Sequence, residues 1–257
     1  MARRETYRSR NIDKLEDEKP GFYNKVNFII NPELQQQFEE GKLLLIDKPL
    51  HWTSFDIIRK LRGLLKIKKI GHAGTLDPLA TGLLIVCTGK FTKKINDYMA
   101  QEKEYTGHFT LGATTASYDL ETEPTEQKEY SFVTTEMIQA AAQKFTGEIE
   151  QLPPVYSAIK KDGVRLYEMA RKGEEIELKT RRVHVKEFAI TKIELPVVEF
   201  KITCSTGTYI RSLANDLGAA LGCGAYLSSL RRTAIGEFSV ADAVPVEEVL
   251  AAIKKDS

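Results

Sequence analysis

Gly71-His72-Ala73-Gly74-Thr75-Leu76-Asp77-Pro78-Leu79-Ala80-Thr81-Gly82 sets three glycines, one histidine and one aspartate between two regular segments. Ahead of it, Thr53 or Ser54 caps a helix through Leu65, whose apolar residues Phe55, Ile58, Leu61 and Leu65 recur at three- and four-residue steps. Behind it, Leu83 to Thr88 is a buried strand. From Lys66 to Gly82 neither period holds, so the stretch reads as a Gly-bearing loop between rigid elements, where active residues usually sit. On spacing alone, Asp77 serves equally well as a turn cap before Pro78, with the glycines meeting positive φ angles. The loop is no phosphate cradle, because both Gly-x-Gly-x-x-Gly and a Gly-Lys-Ser/Thr ending are missing.

Outward from this loop, Asn31-Pro32 opens a short helix, Pro32 to Glu40, that Gly41 stops, and Leu43 to Asp47 is a buried strand. Downstream, Phe91 to Met99 is a helix and Glu104 to Leu111 an alternating strand. Helices follow at Thr135 to Phe145 and Arg165 to Arg171, closed by Gly147 and Gly173. Strands at Val183 to Leu195 and Val197 to Cys204, a helix at Thr208 to Leu221, a strand-like Tyr226 to Phe238 and a terminal helix Val246 to Lys254 complete the chain. Strand pairs broken irregularly by helices predict an α+β fold with a largely antiparallel sheet.

Composition sets the outer bounds. At 257 residues and 42% hydrophobic, the chain is an ordinary globular protein rather than a disordered one. Apolar runs such as Leu43 to Ile46 and Leu83 to Cys87 are about a quarter of the roughly 20 residues of a membrane-spanning helix. Residues 1–27 mix charges around Pro20-Gly21 without the apolar core of a secretory signal; they read as a flexible basic and mixed-charge arm, and the protein as cytoplasmic. Cys87, Cys204 and Cys223 show no Cys-x-x-Cys spacing and the four histidines offer no metal template, so no metal is expected. The formal net charge of +1 averages opposed segments. Lys42 to Lys94 holds 11 Lys/Arg against 3 Asp, net +8, whereas Asp119 to Gln151 holds 8 Asp/Glu against 2 Lys, net −6. An anionic partner is expected on the first segment, with the acidic one as a surface connection facing away from it.

The Gly71 to Gly82 string resembles motif II of the TruB-type tRNA pseudouridine synthases. The likeness extends through Leu45-Ile46-Asp47-Lys48-Pro49, Tyr105, Tyr156-Ser157-Ala158-Ile159-Lys160, Gly207-Thr208-Tyr209-Ile210-Arg211 and Leu230-Arg231-Arg232, and covers roughly Gly41 to Val240. It implies a pseudouridine-synthase-like catalytic domain over residues 28–257, with a mixed, largely antiparallel sheet flanked by helices. The implied reaction converts a uridine in the T loop of tRNA, position 55, to its C-glycoside isomer. No group is transferred and no redox change occurs, so no cofactor is needed.

By resemblance, Asp77 is the nucleophile, attacking either the base or the sugar C1′. Arg211 is its partner, favouring the charged carboxylate, and Tyr105 stacks on the target base and is a candidate for proton transfer at C5. Tyr209 and Leu230 wall the same pocket, although packing in the core would serve them equally. A base inside a folded loop has to be turned out of its stack, and His72 resembles the family histidine that fills the gap left behind. Lys48, Arg59 and Lys69, in the basic segment around the loop, are expected to meet RNA. Larger bacterial members continue into an RNA-binding PUA domain; none is expected here, and the basic arm from Arg3 to Arg10 is a candidate substitute. The expected enzyme acts on the T arm of tRNA as a monomer, without an obligatory protein partner or a membrane. The rival readings are an RNA-guided synthase of the archaeal and eukaryotic type and a tRNA-binding folding factor with little dependence on turnover.

Overall fold

The computed structural model describes residues 30–157 and 178–255, with 160–161, 164–165 and 169 between them. The N-terminal arm and most of the helix expected at Arg165 to Arg171 lie outside the described residues.

In chain order the elements are helix α1 (Pro32–Glu40), strand β1 (Leu43–Lys48), α2 (Ser54–Leu65), β2 (Ile70–Ala73) and β3 (Ala80–Thr88). A 3-10 turn at Gly89–Lys94 leads into α3 (Ile95–Ala100), then β4 (Lys103–Leu111), β5 (Ala113–Thr114), β6 (Glu126–Gln127), α4 (Thr135–Lys144) and β7 (Gly147–Gln151). After β8 (Lys160–Lys161) and β9 (Val164–Arg165) come β10 (Arg181–Glu194), β11 (Val197–Cys204), α5 (Ile210–Leu221) and β12 (Ala225–Ile235). The chain closes with β13 (Phe238–Ser239), β14 (Val244–Pro245) and α6 (Val246–Lys255). No helix among the described residues is long and apolar enough to cross a membrane.

Ten strands form one sheet in the order β14-β1-β3-β12-β4-β11-β10-β7, with β13 joined to β12 and β2 to β3. Only β1 with β14 and β3 with β12 run parallel, so the sheet is mixed and largely antiparallel, as expected. One core cluster packs α4 and α5 on the β4, β10 and β11 side, around Phe109, Phe200, Leu213 and Leu217. A second packs α1, α2 and α6 on β1 and β3, around Ile46, Ile57, Leu61 and Leu84, and a third gathers Ala73, Leu83, Ile85, Cys87 and Ile235. Each such buried leucine, isoleucine or phenylalanine contributes about 1.5–3 kcal/mol through its burial.

Three local readings need correction. Phe55 is 59% exposed, and Ile57 takes its place in the core beside Ile58, Leu61 and Leu65. The reason is the capping turn: Thr53 and Asp56 form a capping box, which turns Ser54 inward and Phe55 out. The Lys66 to Gly82 stretch is only partly a loop, since Ile70–Ala73 pairs antiparallel with Ile85–Thr88. Its glycine and histidine hid a strand whose partner is distant in sequence. The helix expected at Phe91 to Met99 is split into the 3-10 turn and α3.

The central parallel contact positions the loop. Leu230, Arg231 and Arg232 of β12 register against Ala80, Thr81 and Gly82 of β3. Gly82 has φ +102°, and a Cβ there would lie 2.3 Å from the Arg232 carbonyl oxygen. Both facts require glycine, because an L side chain would be strained and would also push the two strands apart. Gly82→Ala is therefore expected to lower unfolding free energy by about 3 kcal/mol or more, readable as a drop in the urea midpoint at constant slope.

Candidate active site

The residues between β2 and β3 are riveted on both flanks of Asp77. The buried Ser54 hydroxyl accepts from the Leu76 N–H at 2.9 Å and donates to the Leu76 carbonyl at 3.2 Å. On the other flank, the His51 N–H donates to the Pro78 carbonyl at 2.8 Å, and the Ala80 N–H to the Asp77 carbonyl at 3.0 Å. From below, Arg232 donates through Nε to the Leu83 carbonyl at 2.8 Å and through Nη2 to the Gly74 carbonyl at 3.1 Å. The loop is thus a fixed platform, and the Asp77 side chain stays 41% exposed on it.

That carboxylate meets Arg211, at the start of α5. Arg211 Nε lies 3.0 Å from Asp77 Oδ2 and 3.6 Å from Asp119 Oδ2, and its Nη1 donates to the carbonyls of Ser117 at 3.2 Å and Tyr156 at 2.9 Å. A planar guanidinium with fixed donors suits this four-way junction. Asp119 is buried, and burial pushes its carboxyl up from the ordinary range while the Arg211 charge opposes the shift.

A cavity of about 380 Å3 opens over this pair, within the roughly 300–1,000 Å3 of small-ligand sites. Asp77, Tyr105, Tyr209, Arg211 and Leu230 all line it, so five of the residues expected at one site do converge. They come from the β2–β3 loop, β4, the turn before α5, α5 itself and β12. Burial raises the Tyr105 hydroxyl above its usual range, with the nearby Arg232 charge opposing. Tyr209 is fixed through its backbone, its N–H donating to Gln151 Oε1 at 2.8 Å and its carbonyl accepting from Gln151 Nε2 at 3.1 Å. The Arg181 guanidinium lies over its ring, 5.3 Å from the centroid.

Four other expected residues lie elsewhere. His72 is in β2, outside the cavity lining, mostly buried, with Nδ1 lacking a partner among the described residues. Burial, with Arg232 adding, lowers its pKa, so the imidazole is neutral at pH 7. Arg59 and Lys69 are exposed away from the cavity, and Arg59 pairs with Asp56 at 2.8 Å. Lys48 departs most from the expected RNA contact: it is fully buried, and its Nζ donates to the carbonyls of Pro49 at 2.9 Å and Trp52 at 2.6 Å. Burial pulls its pKa down to about 8. Lys48 thus holds the turn that carries His51 rather than reaching solvent.

The acidic segment also needs correction, because its two ends face inward: Asp119 onto Arg211 and Gln151 onto Tyr209. Three further site residues, Asp119, Lys103 and Arg232, carried no sequence signal as site residues beyond the place of Arg232 beside Leu230. A charge summed over a segment is blind to which of its members point inward.

The comparisons with known proteins agree with this geometry. Residues 62–210 match the TruB family pseudouridylate synthase N-terminal domain, and residues 211–257 the tRNA pseudouridylate synthase B C-terminal domain. A tRNA pseudouridine synthase B of Flavobacterium johnsoniae is 54% identical over 218 residues, covering 82% of this chain and 95% of that one. One of Phocaeicola vulgatus is 48% identical, covering 82% and 92%. Among solved structures, a Cbf5-Nop10-Gar1 complex aligns with TM-score 0.65 at 27% identity, over 88% of this chain and 61% of that chain. Fold, cavity and relatives together define a pseudouridine synthase. More narrowly, the chain belongs to the TruB family. The boundary between the two matched domains falls at Arg211, yet β12 beyond it pairs with β3 and β4 before it, so both matches share one sheet and one site.

Proposed function

We propose that the protein isomerises uridine to pseudouridine at position 55, in the T loop of tRNA, with Asp77 as nucleophile. The observation that carries this reading is the Asp77–Arg211 pair at 3.0 Å, seated in a cavity lined by Tyr105, Tyr209 and Leu230. Arg211 holds one carboxylate oxygen and leaves Asp77 partly open for attack, and Tyr105, lining the same cavity, stacks on the flipped base. His72, neutral and carried on the strand that leads into the loop, fills the gap left by the flipped base. The enzyme acts as a cytoplasmic monomer without an obligatory protein partner.

Electrostatics supports an RNA face outside the cavity lining. The Gly89 N–H donates to the Lys69 carbonyl at 2.8 Å, so the exposed Lys66, Lys68 and Lys69 share one region with the exposed Lys90, Lys93 and Lys94. Phosphates of the T stem are the partners of this cluster, of Arg59 and of Lys69. With four such contacts, tRNA affinity falls on the order of 100-fold between roughly 50 and 200 mM salt despite a pI near 7.7. A flat salt response in filter binding would remove this face from the reading.

The experiment for the reaction itself uses T-arm RNA tritiated at uridine C5. Purified wild-type protein is expected to release the label without guide RNA or a second protein. The likeness to the Cbf5 complex favours one alternative, an RNA-guided enzyme, and no release from bare RNA with release in a guide-containing complex would select it.

A further inference from the structure

Among the described residues, the buried cations are Lys48, Lys103, Arg211 and Arg232, at 0, 6, 4 and 1% exposure, against a single buried carboxylate, Asp119, at 5%. All but Lys48 gather at this site. Arg211 serves both Asp119 and Asp77. Lys103 and Arg232 have no carboxylate within 4 Å among the described residues, and Lys103 donates only to the carbonyls of Met99 and Gln101. An ammonium has three donors, which leaves one of them directed to no described protein group. A buried cation without a counter-ion is costly and is rarely retained without use. Lys103 sits two residues before Tyr105 on the same face of β4, and both line the catalytic cavity.

The neighbouring carboxylates are already engaged. A second cavity of about 600 Å3 also reaches Lys103, beside Glu102, Glu104 and Glu187. Lys186 lies 3.0 Å from Glu102, and Lys201 lies 3.0 Å from Glu104 and 3.9 Å from Glu187. The groups that act on Lys103 from adjoining strands are Arg232 on β12 and Cys204 on β11. Burial, with the Arg232 charge adding, brings the Lys103 ammonium down to about 8.

We propose that Lys103, backed by Arg232, is a catalytic residue that stabilises the negative charge gained by the target base when Asp77 attacks. The inference rests on the isomerase reading above, and it holds for either atom attacked. If Asp77 Oδ bonds to C1′, the N1–C1′ bond breaks and its electron pair leaves with the base as a uracil anion. If Asp77 instead adds to C6 of the ring, the same charge moves to C5 and O4. In both cases a negative charge passes from the carboxylate beside Arg211 to the base, on the Tyr105 and Lys103 side of the cavity. Joining C5 to C1′ returns the electron pair and the free carboxylate, C5 loses its proton, N1 gains one, and the product is an isomer. A preorganised cation at the place where charge develops is the arrangement that lowers such a barrier.

The test uses the full chain and T-arm RNA, with Lys103→Met removing charge at similar length and Lys103→Arg keeping it. Lys103→Met is expected to slow single-turnover isomerisation about 100-fold while RNA binding stays within about threefold. The wild-type rate should fall as pH rises from 7 through 8 to 9, as Lys103 loses its proton, whereas Lys103→Arg holds its rate over that range. With 5-fluorouridine at the target, where fluorine itself stabilises the anionic base, the Lys103→Met deficit in consuming the nucleoside should shrink. Equal deficits on both bases, a loss confined to binding, or one pH profile shared by wild type and Lys103→Arg would each overturn the proposal. If Lys103→Met does not fold by circular dichroism, the pH comparison of wild type with Lys103→Arg decides. Label release by wild type, and its loss in Asp77→Asn, tests the isomerase reading without touching Lys103.

Discussion

Asp77→Asn is expected to release tritium from uridine C5 at least about 10⁴-fold more slowly than wild type, with T-arm RNA bound as before. Asparagine keeps the shape of the side chain and removes both the charge and the nucleophilic oxygen. The surroundings tolerate the change: the loop is held through Leu76, Pro78 and Gly74 by backbone bonds, none of which uses the Asp77 carboxylate. Arg211 keeps Asp119 and two carbonyls. The thermal midpoint should therefore stay within a few degrees, and the lost rate can be assigned to chemistry. Asp119 is no substitute nucleophile, because it is buried under Arg211 and does not line the cavity. Release at the wild-type rate would mean that the reaction does not pass through Asp77.

Arg211→Lys comes next in size, with kcat about 10³-fold lower and KM little changed. Lysine preserves the charge but presents its donors from one point, so it cannot span two carboxylates and two carbonyls as the guanidinium does. Asp119 would then be left buried with a poorer partner, at a cost of about 3 kcal/mol in stability. The sign of the pH dependence follows. Burial already raises the Asp119 pKa, and a weaker partner raises it further, so the folded state binds a proton more readily than the unfolded chain. Such a group contributes stability that is fully present below its unfolded pKa and is lost as pH rises through the folded value. Arg211→Lys should accordingly regain more stability than wild type on acidification from pH 7 to 5, and near-full activity at pH 7 would show that Arg211 does not align the carboxylate.

Helices and strands with strong periods were legible within a residue or two, as in α2, β11 and α6, because burial of one face repeats at a fixed spacing along the chain. β2 was not, since four residues containing a glycine and a histidine become a strand only when Ile85–Thr88 is alongside. The candidate nucleophile could be found from the Gly71 to Gly82 string, and Arg211 and Tyr105 from their motifs. Lys48 went astray for the opposite reason: a lysine beside a basic helix looks solvated, and only packing shows its ammonium bonded to Pro49 and Trp52 carbonyls.

By itself the sequence named Asp77, Arg211 and Tyr105 as candidates, because the motifs that resemble those of the TruB-type synthases are contiguous stretches of chain. Only the tertiary structure decided how charge is distributed around them. The net +8 of Lys42 to Lys94 suggested a basic surface, yet its Lys48 is interior, and the charges around the cavity, Lys103, Arg211 and Arg232, come from three other segments. Burial multiplies the effect of each of those charges by removing water, and burial is set by strand order, with β12 placed between β3 and β4.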